Sequence, residues 1–219
     1  MEPLTQVSGV VAPLMQANID TDVIIRIERL TSGDIDALGR YAFEALRYDD
    51  QGQERADFVF NQDAYKRAPI LAAGPNFGCG SSREGAVTAI AALGVRCILA
   101  ESFGDIFYAN CFQNGLLPIR LNSAQMDKVA AVAAQAGILT IDLEQQRVIL
   151  PDGEAFAFEI AALRREALLF GLDDIGLSLR RLPTIRDWQA SHRRLRPWIW
   201  DLPPGLTALE SAPFKHPTA

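Results

Sequence analysis

Asn76-Phe77-Gly78-Cys79-Gly80-Ser81-Ser82-Arg83-Glu84 gathers glycines, two adjacent hydroxyls and a guanidinium into one short stretch. Glycine lets the chain turn tightly enough for successive backbone N–H groups to face one anion, and a helix starting after such a loop adds the positive end of its dipole. Arg83 brings five N–H donors to the mouth of the same loop. Ser81, Ser82, Arg83 and the helix start therefore suit a carboxylate. The stretch is not a P-loop, because no Gly-Lys-Ser/Thr closes it and the chain's lysines are Lys66, Lys128 and Lys215. Gly78-Cys79-Gly80 opens like a dinucleotide fingerprint, and Glu101 follows at about the expected 20-residue distance. Arg83, however, stands where the third glycine must pack against the sheet. A capping box, with Ser81 as N-cap and Glu84 three residues on, is a purely structural alternative that leaves Arg83 and the second hydroxyl unexplained.

Other reactive side chains are scarce. His192 and His216 both lie near the C-terminus, so a Ser-His-Asp triad or a histidine-rich zinc site would have to take its imidazole from the tail or from another chain. Cys79, Cys97 and Cys111 are odd in number and widely spaced. That suits reduced thiols, with Cys97 and Cys111 in the core, and not a disulfide framework or a cluster-ligand set; no metal is assigned to this chain. Glu101 and Asp105 could work as an acid–base pair, but a strand-end polar residue and a first-turn helix acid account for them. Arg180-Arg181, Arg186 and Arg193-Arg194-Leu195-Arg196 lie beside Trp188, Trp198 and Trp200, a combination also found at nucleic-acid contacts. With no nucleic-acid motif beside it, the cluster reads as a solvated helix face or a docking surface for an acidic partner.

The elements that must position these residues follow from local pattern. Residues 7–14 form an apolar, β-branched run that suits a strand, followed by the polar turn Ala17-Asn18-Ile19-Asp20-Thr21-Asp22, after which Val23-Ile24-Ile25 resumes the apolar pattern. Residues 31–67 lose periodicity and read as a mobile insertion with a short helix near 37–46. The centre alternates strand and helix: strands over 69–73, 96–100 and 116–121, helices over 81–93, 104–113 and 123–136, with Gly94, Asn114-Gly115 and Gly137 as stops. Such alternation predicts an α/β core. Strands over 138–143, 148–150 and 155–158 predict a hairpin-rich edge, and 160–170 a helix closed by Gly171. Residues 1–181 thus read as one domain, and 182–219 as a Pro- and Trp-rich extension that either docks on the domain or on a partner or is a partly disordered end.

Bulk composition narrows the partners. The 219 residues are 49% hydrophobic and 22% charged, enough apolar mass for a core and no case for wholesale disorder. A net charge of −6 argues against broad binding to nucleic acid or an anionic membrane. No apolar run approaches the roughly 18 residues of a membrane span, and Met1-Glu2-Pro3-Leu4-Thr5-Gln6 lacks a basic, then apolar, secretion signal, so the cytoplasm is expected.

Three long stretches, in order, resemble one family. Ala17-Asn18-Ile19-Asp20-Thr21-Asp22, the loop at 76–84, and Ser102-Phe103-Gly104-Asp105-Ile106-Phe107-Tyr108-Ala109-Asn110-Cys111-Phe112-Gln113-Asn114-Gly115-Leu116-Leu117-Pro118 are similar to the small subunits of 3-isopropylmalate dehydratase, the swivelling domain of the aconitase superfamily. Gly171-Leu172-Asp173-Asp174-Ile175-Gly176-Leu177 matches the family's closing motif, so the likeness runs over about residues 7–180. The resemblance implies a β/β/α swivelling domain and a separate large subunit that carries a [4Fe–4S] cluster on its own cysteines. The substrate, a small 2-hydroxy dicarboxylate, would lie between the two chains, with the iron as Lewis acid for its leaving hydroxyl. It implies that Ser81 is the alkoxide base, that Ser82 and Arg83, with Gly80 and Cys79 of the loop, bind substrate carboxylates, and that Asp22 supports the site. The family usually reads Ser-Ser-Arg-Glu-His-Ala where this chain has Ser82-Arg83-Glu84-Gly85-Ala86, and a basic Arg-Thr-Gly element where it has Thr31-Ser32-Gly33-Asp34-Ile35-Asp36. Arg40 or Arg47 could compensate. A paralogous hydro-lyase for dimethylmalate or methylmalate, or a non-catalytic regulatory or assembly protein of the same fold, stays open at this point.

Overall fold

The computed structural model describes residues 1–30 and 38–200. In chain order the elements are β1 (Gln6–Leu14), α1 (Thr21–Ile24), α2 (Ile27–Leu30), α3 (Leu38–Tyr41), α4 (Glu44–Arg47), β2 (Ile70–Ala73), α5 (Glu84–Ala92), β3 (Cys97–Ala100), α6 (Asp105–Gln113), β4 (Leu117–Arg120), α7 (Ser123–Ala133), β5 (Ile138–Asp142), β6 (Arg147–Ile149), β7 (Ala155–Ala157), α8 (Ala162–Phe170), α9 (Asp174–Arg180) and α10 (Leu182–Leu195). The chain divides into two compact units, Met1–Asp174 and Ile175–Ala219.

One seven-stranded sheet, in the order β4-β3-β2-β1-β5-β6-β7, organises the first unit. β1 to β4 are mutually parallel, joined by helical crossovers, while β5, β6 and β7 continue from β1 as an antiparallel meander. β1 is therefore the seam between two kinds of sheet. Both faces of its parallel half are covered, as parallel strands require. Along β2 the alternation is visible residue by residue: Leu71 and Ala73 face a core that includes Val87 and Ile90 of α5 and Phe107 of α6. Ile70 and Ala72 face a second core holding Met126 and Val129 of α7 and Leu168 of α8. Full burial of each such aliphatic side chain stabilises by about 1.5–3 kcal/mol.

Residues 38–67 differ from the mobile insertion expected of them. Periodicity is indeed absent, yet Phe43, Phe58 and Phe60 are buried and ring-packed, with Phe43 and Phe60 stacked at 6.1 Å. Short helices and tight turns deliver single aromatics to the core without any repeating pattern. Val23-Ile24, an extended run by composition, instead lies in α1, because the Asp20 carboxylate accepts from the Val23 N–H at 2.8 Å and caps a single helical turn. Leu30 is the last described residue before the altered loop, and Thr31-Ser32-Gly33-Asp34-Ile35-Asp36 lies outside the described residues.

The C-terminal stretch from residue 182, read as Pro-rich, begins as the 14-residue α10, with Pro183 in the first turn, where its missing N–H costs nothing. His192, for which the sequence offered no partner, stacks on Trp188 at 4.6 Å and accepts from Trp200 Nε1 at 3.1 Å through Nδ1. The remaining tail, 201–219, with His216, lies outside the described residues. Among the described residues no helix is long and apolar enough to cross a membrane.

Candidate active site

β1, β2 and β3 are adjacent and parallel, so the segments leaving their carboxyl ends share one edge of the sheet, where ligands of open α/β sheets commonly bind. Those segments are the three motifs at 17–22, 76–84 and 102–105. Hydrogen bonds knit them together: Gly78 N–H to Ile19 O at 2.8 Å, Thr21 N–H to Cys79 O at 2.9 Å, and Phe77 N–H to Ser102 O at 3.1 Å. Side chains add Asn76 Nδ2 to Asn18 Oδ1 at 2.8 Å and Asn76 N–H to Ser102 Oγ at 2.8 Å.

Two glycines in this knot have no substitute. Gly78 has φ +69°, and a Cβ there would lie 2.2 Å from the Phe107 ring. Gly104 must pass so close to Gly78 that a Cβ would sit 2.4 Å from the Gly78 carbonyl oxygen. The glycines thus serve close approach of the 76–84 loop to α6, as well as turning the chain.

Ser81 and Ser82 emerge exposed at the end of the loop. Thr21 Oγ1 donates to the Ser81 carbonyl at 3.0 Å, which fixes the backbone beside the two exposed serines. The helix starts later than the sequence suggests: α5 begins at Glu84, its N-cap is Arg83, and no side chain caps it. The capping-box alternative for Ser81 therefore fails, since Ser81 precedes the N-cap by two residues. Glu84 instead accepts from Asn114 Nδ2 at 3.1 Å, tying α5 to the end of α6.

Arg83 is only partly accessible, its side chain 15% exposed. Its Nη1 donates to the Asp22 carboxylate and, at 3.3 Å, to the Ile25 carbonyl. Both contacts run through Nη1, so the Nε–Nη2 edge, the one that matches a carboxylate bidentately, is unengaged among the described residues. Asp22 thereby positions Arg83. Cys79 and Gly80 form the backbone rim, Cys79 half-buried and bridged to Asp20, Gly80 at φ +90°.

Gly85 is overlaid by Leu30: a Cβ at 85 would lie 2.3 Å from Leu30 Cδ2, so an apolar side chain covers this point of the first turn of α5. Arg47 does not stand free for substrate, because Nε donates to Asn61 at 2.9 Å and Nη1 to the Gly39 carbonyl at 3.1 Å. Arg40 lies over the Tyr41 ring at 5.2 Å. Glu101 is exposed, and Asp105 pairs with Arg120 at 3.9 Å, so no shared-proton carboxylate pair forms.

Among the described residues no group of three or more His, Cys, Asp or Glu could hold a metal ion. Cys97 and Cys111 are fully buried, and burial pushes both thiols up, away from the thiolate that a cluster iron needs. Cys97 and Cys111 therefore do not fit a cluster.

Comparison with known proteins bears on the same residues. The aconitase C-terminal domain family matches residues 1–124, and the LeuD_N family matches 129–162. The 3-isopropylmalate dehydratase small subunit of Rhodospirillum centenum is 50% identical over 200 residues, 90% of this chain and 98% of that one. The chain belongs to the 3-isopropylmalate dehydratase small-subunit family. The family member of Roseobacter denitrificans is 47% identical over 202 residues, covering 91% of this chain and 100% of its own. A crystal structure titled 3-isopropylmalate dehydratase, from Methanocaldococcus jannaschii, superposes with a TM-score of 0.62 at 27% identity, covering 84% of this chain and 99% of its own. The fold is accordingly the aconitase-type swivelling domain.

Proposed function

We propose that this chain is the small subunit of a 3-isopropylmalate dehydratase, an aconitase-type hydro-lyase that interconverts 2- and 3-isopropylmalate in leucine biosynthesis and is active only with a large subunit. The observation that carries this reading is the 50% identity to a named small subunit across nine-tenths of the chain. The [4Fe–4S] cluster belongs to the large subunit in this reading, and residues 182–219 are an extension appended to the swivelling domain.

Ser81 is the base. Its alkoxide takes the proton from the carbon next to the hydroxyl-bearing carbon; the C–H electron pair becomes the new C=C bond, and the C–O bond of the neighbouring carbon breaks, its electron pair leaving with hydroxide. Hydroxide then adds to the enedioate at the carbon that lost the proton, and Ser81 returns the proton to the other carbon, which restores its alkoxide. An alkoxide needs positive surroundings, and the loop N–H groups beside α5 together with Arg83 supply them. Arg83 clamps one carboxylate through its Nε–Nη2 edge, helped by Ser82 and by the backbone of Cys79 and Gly80, while Asp22 holds the guanidinium in register.

The test is to purify the chain with a large-subunit partner, reconstitute the cluster without oxygen, and follow enedioate absorbance over isopropylmalate, dimethylmalate, methylmalate and citrate. Turnover of isopropylmalate that falls by about 10²–10⁴-fold in Ser81→Ala, with the complex intact, is the expected result. A stable complex that turns over none of the acids, or only another of them, overturns the isopropylmalate assignment.

A further inference from the structure

A 2-hydroxy dicarboxylate carries two negative groups, and the site described so far offers one free guanidinium edge, that of Arg83. The other cations of α1 to α4 differ sharply in what they are doing. Arg29 is gripped by Glu44 through both carboxylate oxygens, with Nε at 2.9 Å, and lies over the Tyr41 ring at 4.5 Å. Arg47 is held by Asn61 and the Gly39 carbonyl, as above, and lies 3.6 Å from Glu54. Arg26 alone among these three is exposed and makes no side-chain hydrogen bond or ion pair with any described residue.

Its position is as telling as its freedom. Arg26 stands just past the C-cap of α1, the helix whose Asp22 holds Arg83 and whose Thr21 holds the Ser81 carbonyl. It lines a cleft of about 380 Å³ together with Asp20, Asp22, Ile27 and Glu28. It also lines an adjoining cleft of about 540 Å³ with Arg40, Tyr41 and Tyr48, Ala45 being common to both. Most acids lining the two clefts are occupied: Asp20 accepts from the Val23 N–H, Asp22 from Arg83, Glu44 from Arg29 and Asp49 from the Gln51 and Gln53 N–H groups, while the charge of Arg26 also acts on Glu44 and Asp50 lines the second cleft beside it. A long arginine with no hydrogen-bond or ion-pair partner among the described residues is suited to receive an anion that arrives from outside.

We infer that Arg26 determines substrate specificity by receiving the second carboxylate of the dicarboxylate, the one that Arg83 does not hold. The inference rests on the dehydratase reading above. Arg83 fixes the end of the substrate next to Ser81, and Arg26, on the cleft that shares Asp22 with it, selects for an acid with a second carboxylate. It touches no reacting atom, so its contribution is to binding and to choice between acids.

The test uses the complex of both subunits and compares the calorimetric dissociation constants of 2-isopropylmalate and of 2-hydroxy-3-methylbutanoate, which keeps the hydroxyl and isopropyl groups and lacks the second carboxylate. The wild-type complex prefers the dicarboxylate, and Arg26→Gln loses about 10- to 100-fold of that preference, the worth of a charge-assisted hydrogen bond. Affinity for the monocarboxylate stays as it was, and kcat for 2-isopropylmalate changes far less than KM. Arg26→Lys regains part of the preference, and Arg55→Gln, which removes another exposed arginine, paired to Asp57 at 3.5 Å, leaves it intact. Equal weakening of both acids by Arg26→Gln, or no weakening of either, overturns the inference while wild-type turnover keeps the dehydratase reading standing. A wild-type complex that neither binds nor turns over 2-isopropylmalate overturns both.

Discussion

Asp22 and Arg83 are 61 residues apart in sequence, and their pairing decides what Arg83 can do. An unrestrained guanidinium at the loop mouth would sample many rotamers, and ordering it on substrate binding costs up to about 2 kcal/mol of side-chain entropy. With Nη1 held by Asp22 and the Ile25 carbonyl, that ordering is already in place before substrate arrives. Asp22→Asn removes the charge and keeps the shape. The expected outcome in the reconstituted complex is a rise in KM of about 10-fold, with a smaller fall in kcat, as for lost binding energy felt before the reaction begins. An unchanged KM would show that Arg83 is held well enough by the Ile25 carbonyl alone. The types and spacing of Ser81, Ser82 and Arg83 were legible in the sequence because a glycine-rich strand-to-helix loop is a local signal. The availability of Arg26 was not, because it depends on Glu44 choosing Arg29 across an intervening turn.

Elements obeyed local rules wherever a start or stop signal was strong. α7 begins after Asn122, whose side chain accepts from the Gln125 N–H at 2.9 Å while the Gln125 side chain accepts from the Asn122 N–H at 3.0 Å, a complete capping box. Asn122→Ala removes one half of this arrangement and is expected to lower stability by about 1 kcal/mol in urea titration, with the slope of the transition unchanged. α8 ends where Gly171 takes φ +64°, as its position in the sequence suggests. Local rules failed at 38–67 and at the start of α5. In the first, burial of Phe43, Phe58 and Phe60 follows from the shape of the neighbouring core and has no period to read. In the second, the loop's bonds to the 17–22 segment hold residues 81 and 82 out of the helix, a demand that serine's capping preference cannot reveal.

At the scale of the whole molecule, the two-sided burial of the sheet leaves one signature that titration can read. Cys97 lies in the second core and Cys111 in the first, and burial pushes both thiols up, so the folded chain keeps protons there that the unfolded chain releases. Above the ordinary thiol value of about 8.5, the folded state therefore binds more protons than the unfolded one, and stability falls as pH rises. The expected slope is up to about 1.4 kcal/mol per pH unit for each buried thiol, and Cys97→Ala should remove one thiol's share. Urea unfolding near neutral pH and about two units above it checks this, and an unchanged slope in the variant would mean that the Cys97 thiol ionises as easily folded as unfolded. By itself the sequence determined the α/β alternation, the loop with its serines and arginine, the family likeness and the absence of a metal-ligand pattern, because each is written in residue types at short spacing. Only the tertiary structure decided that β1 joins a parallel to an antiparallel half, that three distant loops meet at one edge, that Asp22 holds Arg83, and that Arg26 has no hydrogen-bond or ion-pair partner among the described residues. Those outcomes depend on which side chains share a core and which charges find each other across the fold, and no local spacing encodes a partner that packing alone brings near.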